Sequence, residues 1–170
     1  VKRFPYIWLP RTGQTTLRTA GDDGDYEAGK PGVIANRFIT VKTGVMLDRD
    51  TGLMWPSDIG GEGAPWNGTR SWTDGLSDIA TLNGSSYKGY ADWRMPNRLE
   101  GMLLMDHENG GFYSGGPAVV ASGLYWTSTT RPNDTTRAYY IDNDGRLTTY
   151  DSAKTDLRYV IPCRGGRIND

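Results

Sequence analysis

At 170 residues the chain is long enough for one domain with a sizeable core, and its 36% hydrophobic content leaves no stretch apolar enough to cross a bilayer. A net charge of −1, with no run of more than two basic residues, excludes the electrostatic footprint of a nucleic-acid binder. The single cysteine, Cys163, rules out an internal disulfide, while six Trp and ten Tyr set the chain apart from the aromatic-poor composition of disordered segments.

Residues 1–37 are polar and Gly-rich and read as an extended lead-in that packs through Phe4, Tyr6, Ile7 and Trp8. Strand signals at residues 38–41 and 45–47 join through Lys42-Thr43-Gly44 as a short hairpin. Residues 48–52 turn the chain into Leu53-Met54-Trp55, and residues 57–70 are loop. The first helix takes Ser71 as its N-cap, repeats Trp72, Leu76, Ile79 and Ala80 on one face, and stops near Asn83-Gly84. A second opens at Asn97 with Glu100 three residues on, an Asn form of the capping box. It runs for about two to three turns through Leu99, Met102 and Leu103. From residue 125 the pattern is β again, at residues 125–129, 138–141, 147–150 and 159–164, with Asn143-Asp144-Gly145 as a hairpin turn. Strands, two helices and then a meander predict a single α+β domain over residues 1–170, its two helices flanking a small twisted antiparallel sheet with long Gly-rich loops.

Little in the chain points to catalysis. His107 is the only histidine, which removes His-rich metal sites and most triads. Cys163 follows Pro162 in an apolar run, where a free cysteine behaves as a small buried hydrophobe. Two acidic clusters, at residues 21–27 and 142–144, carry Asp and Asn in turn contexts. An EF-hand count from Asp142 fails, with Arg146 at position five and Ala153 at position twelve. The LPRTG run at residues 9–13 matches a sorting signal but lacks the apolar tail such a signal requires. The expectation is a protein that is not an enzyme, with no metal and no cofactor.

Residues 125–164 are instead rich in Tyr, Asp, Asn, Ser, Thr and Arg between the apolar positions, a mixture that resembles a paratope. The predicted ligand face consists of Thr130, Arg131, Asn133, Asp134, Arg137, Tyr139, Asp142, Asp144, Arg146, Thr148, Tyr150 and Asp151. Tyr140, Ile141 and Leu147 are expected to face inward, with Tyr139 and Tyr150 as the energetic anchors of binding. Trp55, Trp72, Trp93 and Trp126 are expected to hold the core, and Arg94 and Arg164 to pin loops.

Several blocks, in order along nearly the whole chain, carry a family resemblance: LPRTGQT at 9–15, GDDGDYEAG at 21–29, DTGLMW at 50–55, YADWRMPNRLE at 90–100, YWTSTT at 125–130 and YVIPCRGG at 159–166. Together they resemble the C-terminal domain family named for the bacterial collagen-like adhesin Lcl. The chain departs from that pattern at Met95, where members read Leu, and at Cys163, where they read Val. The resemblance implies a C-type-lectin-like fold whose last strands and loops form an exposed ligand face. The calcium-dependent sugar triplets of true C-type lectins do not occur, so that activity is not implied. Similar domains also serve as variable proteins of diversity-generating retroelements, and residues 125–159 have the composition such diversification leaves. The implied function is binding of a protein or glycan ligand on a target surface, without nucleic acid or membrane insertion, by a domain displayed on a virion or cell surface. An adhesin for glycans or sulfated polysaccharides, using Arg131, Arg137, Arg146 and Arg158, is the alternative. A relative of formylglycine-generating enzymes ranks last, because those use a cysteine pair.

Overall fold

The structure, a computed structural model, describes residues 11–27, 29, 36–57, 68–117, 123–143 and 148–165. Phe4, Tyr6, Ile7, Trp8, Asp144, Gly145, Arg146 and Leu147 therefore lie outside the described residues, and with them the expected lead-in packing and the tip of the last hairpin.

The first described element is one turn of helix, α1 (Asp23–Tyr26), where an extended path was expected. Asp22 explains it: its carboxylate accepts the Asp25 N–H at 3.1 Å and caps the turn. The next strands follow the sequence reading closely. Strands β1 (Phe38–Lys42) and β2 (Val45–Asp48) form a hairpin through Thr43 and Gly44, where Gly44 takes the positive φ of 78° that the tight turn requires. Asp48 organises the next turn by accepting the Asp50 N–H at 3.0 Å and the Thr51 hydroxyl at 2.8 Å. Strand β3 (Leu53–Pro56) then pairs back on β2.

Helix α2 (Trp72–Gly84) starts at the expected cap, with Ser71 Oγ accepting the Asp74 N–H at 3.2 Å. Its buried positions are Gly75, Ile79 and Leu82, whereas Ala80 is exposed. Gly75 sets that orientation. A Cβ there would lie 2.7 Å from Val160 Cγ2, so only glycine lets the helix settle this close. Helix α3 (Arg98–Met102) has the full capping box of Asn97 and Glu100 but runs for five residues instead of two to three turns. Its apolar residues Leu99 and Met102 are exposed (71% and 36%). The contact face is Gly101, whose added Cβ would lie 2.1 Å from Ile141 Cδ1. Leu99, two positions earlier, consequently points away from the sheet.

Strands β4 (Leu124–Thr130), β5 (Arg137–Asp142) and β6 (Thr148–Ala153) form an antiparallel meander. The expected strand at residues 159–164 is mostly irregular; only β7 (Arg164–Gly165) is strand. Its backbone serves several partners in turn. Tyr159 exchanges hydrogen bonds with Leu124 and Trp126 of β4, Cys163 exchanges two with Arg94 at 2.8 Å, and β7 pairs with β3. Pro162, without an N–H, breaks any single ladder between them.

The result is a mixed α/β arrangement with two small antiparallel sheets, ordered β1-β2-β3-β7 and β4-β5-β6, in place of the single sheet expected. The C-terminal segment stitches them together. Trp55, Trp93, Trp126, Tyr125, Leu104, Ile141, Val160, Ile161 and Cys163 fill the core, with Trp72 half-buried against it. Trp126 Nε1 donates to the Arg70 carbonyl at 3.0 Å and Trp72 Nε1 to the Thr127 carbonyl at 2.8 Å, which locks loop to core. Arg94 forks onto Glu100 with two bonds of 2.7 Å, and Arg164 onto Asp92 at 2.7 and 3.0 Å, as the loop-pinning roles required. Among the described residues no helix is long and apolar enough to cross a membrane.

Candidate functional site

The register of β5 and β6 decides which side chains can act together. Tyr139 lies opposite Asp151, Ile141 opposite Thr149, and Tyr140 opposite Tyr150. Directly opposed residues of an antiparallel pair share a face, and neighbours along a strand alternate. Arg137, Tyr139, Ile141, Thr149 and Asp151 therefore lie on one side of the meander, and Ala138, Tyr140, Tyr150 and Ser152 on the other.

On the first side α3 covers Ile141 and leaves Arg137, Tyr139, Thr149 and Asp151 half-buried. Arg98, from the first turn of α3, stacks its guanidinium 4.3 Å from the centre of the Tyr139 ring. Its Nε donates to Thr149 Oγ1 at 2.7 Å, and its backbone N–H donates to Thr129 Oγ1 at 3.0 Å. Alongside, Arg131 Nη1 donates to Asp151 Oδ2 at 3.0 Å. Arg137 donates through Nε to the same oxygen and through Nη2 to the Asp151 carbonyl at 3.0 Å. The bond from Arg137, and then that from Arg131, hold the Asp151 carboxyl below the usual carboxylate range. Asp134 is lowered by hydrogen bonds from the Thr136 hydroxyl and N–H, and serves the β4–β5 turn. The arrangement is a half-exposed polar ridge, Arg98–Tyr139–Asp151–Arg137–Arg131, fixed on a sheet.

The other side carries an aromatic ladder. Trp126 meets Tyr140 edge-on at 6.3 Å, Tyr140 meets Tyr150 at 6.1 Å, and the Arg158 guanidinium lies 4.9 Å from the Tyr140 ring centre.

The twelve predicted residues thus do not form one face. Arg131, Arg137, Tyr139 and Asp151 come together, with Thr130, Asn133 and Asp134 at the adjoining end and turn. Tyr150 is exposed on the opposite side, because it and Asp151 are consecutive and alternate. Asp142 is a correction: it is buried, 3% exposed, since Leu124 pairs with it and the Asn143 N–H is tied to the Gly123 carbonyl at 3.0 Å. Asp144 and Arg146 lie outside the described residues, as does the side chain of Thr148, whose backbone pairs with Asp142. Arg158, expected to be exposed, is a second correction; its side chain is 19% exposed and tied to Ser152 Oγ at 3.0 Å. Sequence reasoning missed Arg98 and Thr149. Nothing in the sequence separates Arg98 from a solvated helix arginine, because only the packing of α3 brings it over Tyr139.

A cleft of about 170 Å³ opens beyond α3, lined by Arg11, Thr12, Met102, Leu103, Met105 and His107. Among the described residues no three His, Cys, Asp or Glu side chains are grouped to hold a metal ion. The carboxylates of residues 21–27 are engaged locally: Asp22 with the Arg18 and Thr19 N–H groups at 3.1 Å, Asp25 with the Gly21 N–H at 2.9 Å, Asp23 with Thr12 and Glu27 with Arg11.

These features define a small mixed α/β domain that presents a fixed, arginine-rich polar ridge on a sheet, the kind of surface a binding domain uses. The chain belongs to the family described as the Lcl C-terminal domain, whose model matches residues 44–164. That stretch includes β2 to β6, both longer helices and the whole ridge. No curated protein matches the chain.

Proposed function

We propose that this domain is a non-enzymatic ligand- or receptor-binding module of C-type-lectin-like fold, working from a virion or cell surface. The observation that carries the proposal is the ridge Arg98–Tyr139–Asp151–Arg137–Arg131, in which large, half-exposed recognition side chains from β5, β6, the end of β4 and α3 are fixed against one another. Tyr and Arg are the residues that dominate binding hot spots. The burial of Cys163, whose thiol is pushed up to about 12, supports a role other than nucleophilic catalysis.

The composition of residues 125–159 further supports reading the domain as a variable protein of a diversity-generating retroelement. Thr130, Arg131, Asn133 and Tyr139 are half-buried or exposed, and surface substitutions of this kind usually change stability by no more than about 0.5 kcal/mol. A second reading, an adhesin for glycans or sulfated polysaccharides, draws on the concentration of Arg98, Arg131 and Arg137 on one side of the meander. The test is a combined Arg131→Ser, Asn133→Ser and Tyr139→Ser variant, compared with the parent by thermal melting and on glycan and surface-protein arrays. A melting temperature within a few degrees and a changed binding profile are expected. Unfolding, or an unchanged profile, would refute the ligand face. A neighbouring reverse transcriptase gene with a near-identical template repeat is the expected genomic mark of diversification.

A further inference from the structure

We infer that the ridge, α3 and the cleft beyond it form one continuous docking surface whose partner is a protein segment carrying carboxylates next to an apolar side chain. The inference rests on reading the β5–β6 ridge as the ligand face and adds the class of partner.

Charge comes first. Three arginines, Arg98, Arg131 and Arg137, share the ridge with two carboxylates, Asp151 and Asp134, and Asp151 already serves two of the arginines. Arg98 spends its Nε on Thr149, and no acceptor among the described residues meets its two terminal nitrogens. A guanidinium spread on a tyrosine ring with its outer edge open is built for a bidentate carboxylate.

Apolar surface comes next. At about 100° per residue, Arg98, Met102 and Leu99 follow one another around α3, at roughly 60°, 100° and 160° from the Gly101 that meets Ile141, so they lead from the sheet out to solvent. Leu99 is 71% exposed and Met102 36% exposed, so an apolar shoulder stands directly beside the arginine. Met102 also lines the cleft, whose volume of about 170 Å³ slightly exceeds that of cavities of about 150 Å³ that accept benzene. The cleft therefore suits one side chain of leucine or phenylalanine size, against methionines that adapt to its shape. A sulfated glycan would satisfy the arginines but brings no aliphatic group to cover Leu99 and Met102. A polypeptide brings both.

The test pans a random-peptide phage library on the intact protein and runs the same protein on a heparin column. Selected peptides should pair Asp or Glu with Leu, Met, Phe or Trp. Synthetic copies should lose about tenfold or more in affinity against Arg98→Ala and against Leu99→Ser/Met102→Ser, and stay within about twofold against Thr73→Ala on the exposed side of α2. Leu99 and Met102 are exposed, so melting of the variants confirms that they fold. Peptides that bind Leu99→Ser/Met102→Ser as tightly as the parent, peptides lacking either chemistry, or no peptide at all would overturn the inference. In those cases heparin retention that is lost in Arg98→Ala would leave the ligand face standing with a glycan as occupant. If neither probe depends on Arg98, Arg131 or Arg137, the ligand-face reading falls as well.

Discussion

Cys163 shows how one side chain's environment settles its chemistry. It is fully buried, and desolvation lifts its thiol to about 12, against a smaller lowering by Arg94. Near neutral pH it is a protonated, small apolar group. Cys163→Val should change stability by less than about 1.5 kcal/mol, as a near volume-conserving core exchange does. The native protein should react with a thiol reagent only as fast as it unfolds, and complete labelling within minutes would contradict this. Asp151 is the opposite case, a half-exposed carboxylate whose value lies in its neighbours. It accepts from both Arg131 and Arg137, which hold it ionised below the usual range. Asp151→Asn removes a negative charge from between two arginines. The expected outcome is stronger retention on heparin with little change in melting, and unchanged retention would show that the ridge does not meet the column.

Between elements the decisive contacts are glycines. Gly101 lets α3 lie on β5, and its Cβ would clash with Ile141 Cδ1. Gly101→Ala should cost about 1–3 kcal/mol by overpacking, despite alanine's better helix propensity. Ile141→Val removes the clashing methyl and alone should cost about 0.5–1.5 kcal/mol. The double variant should be more stable than the sum of the two losses predicts, measured by denaturant unfolding; strict additivity would mean that the two do not touch. This pair also marks how far the sequence was legible. The existence of α3 could be read from Asn97 and Glu100, because a capping box is local chemistry. Its buried face could not, because the apolar Leu99 and Met102 suggest a core side while the contact is made by a residue without a side chain. The hairpins were legible for the same local reason, in Gly44 and in the alternation of β5. The path of residues 159–164 was not, since its hydrogen bonds go to Leu124, Trp126, Arg94 and β3 in turn. Four of the five ridge residues were likewise legible: the paratope-like composition pointed to Arg131, Arg137, Tyr139 and Asp151. Only strand phase could exclude Tyr150 from their company, and only tertiary packing could add Arg98.

At the scale of the whole molecule, the described residues are held in two ways that respond differently to acid. The two sheets close on an apolar core through Trp55, Trp126 and Ile161, whereas residues 11–27 are fastened to the 106–113 loop largely by polar contacts. Glu108 is the fastener. It accepts the Thr15 N–H at 3.0 Å, the Thr16 N–H at 3.2 Å and the Thr16 hydroxyl, while the Tyr113 hydroxyl donates to the Thr12 carbonyl at 3.0 Å. The bond from the Thr16 hydroxyl, then those from the Thr16 and Thr15 N–H groups, hold the Glu108 carboxyl below its ordinary value, with Arg18 adding to the effect. Asp22, whose bonds from Arg18, Thr19, Asp25 and Gln14 outweigh its desolvation, is lowered too. A carboxyl depressed in the folded state contributes stability that is fully present above its unfolded value. That contribution is lost as pH falls through the folded value. The contribution of Glu108 should therefore be intact at pH 7 and fade below the ordinary glutamate range, about pH 4.3. Amide exchange, corrected for its intrinsic pH dependence, should rise in residues 11–27 on acidification before it rises in β4 and β5. Glu108→Gln should reproduce that pattern at pH 7, because it keeps the shape and removes the charge that the two N–H groups and Arg18 require. Equal protection of residues 11–27 in the parent and in Glu108→Gln at neutral pH would show that something other than this carboxylate holds the segment.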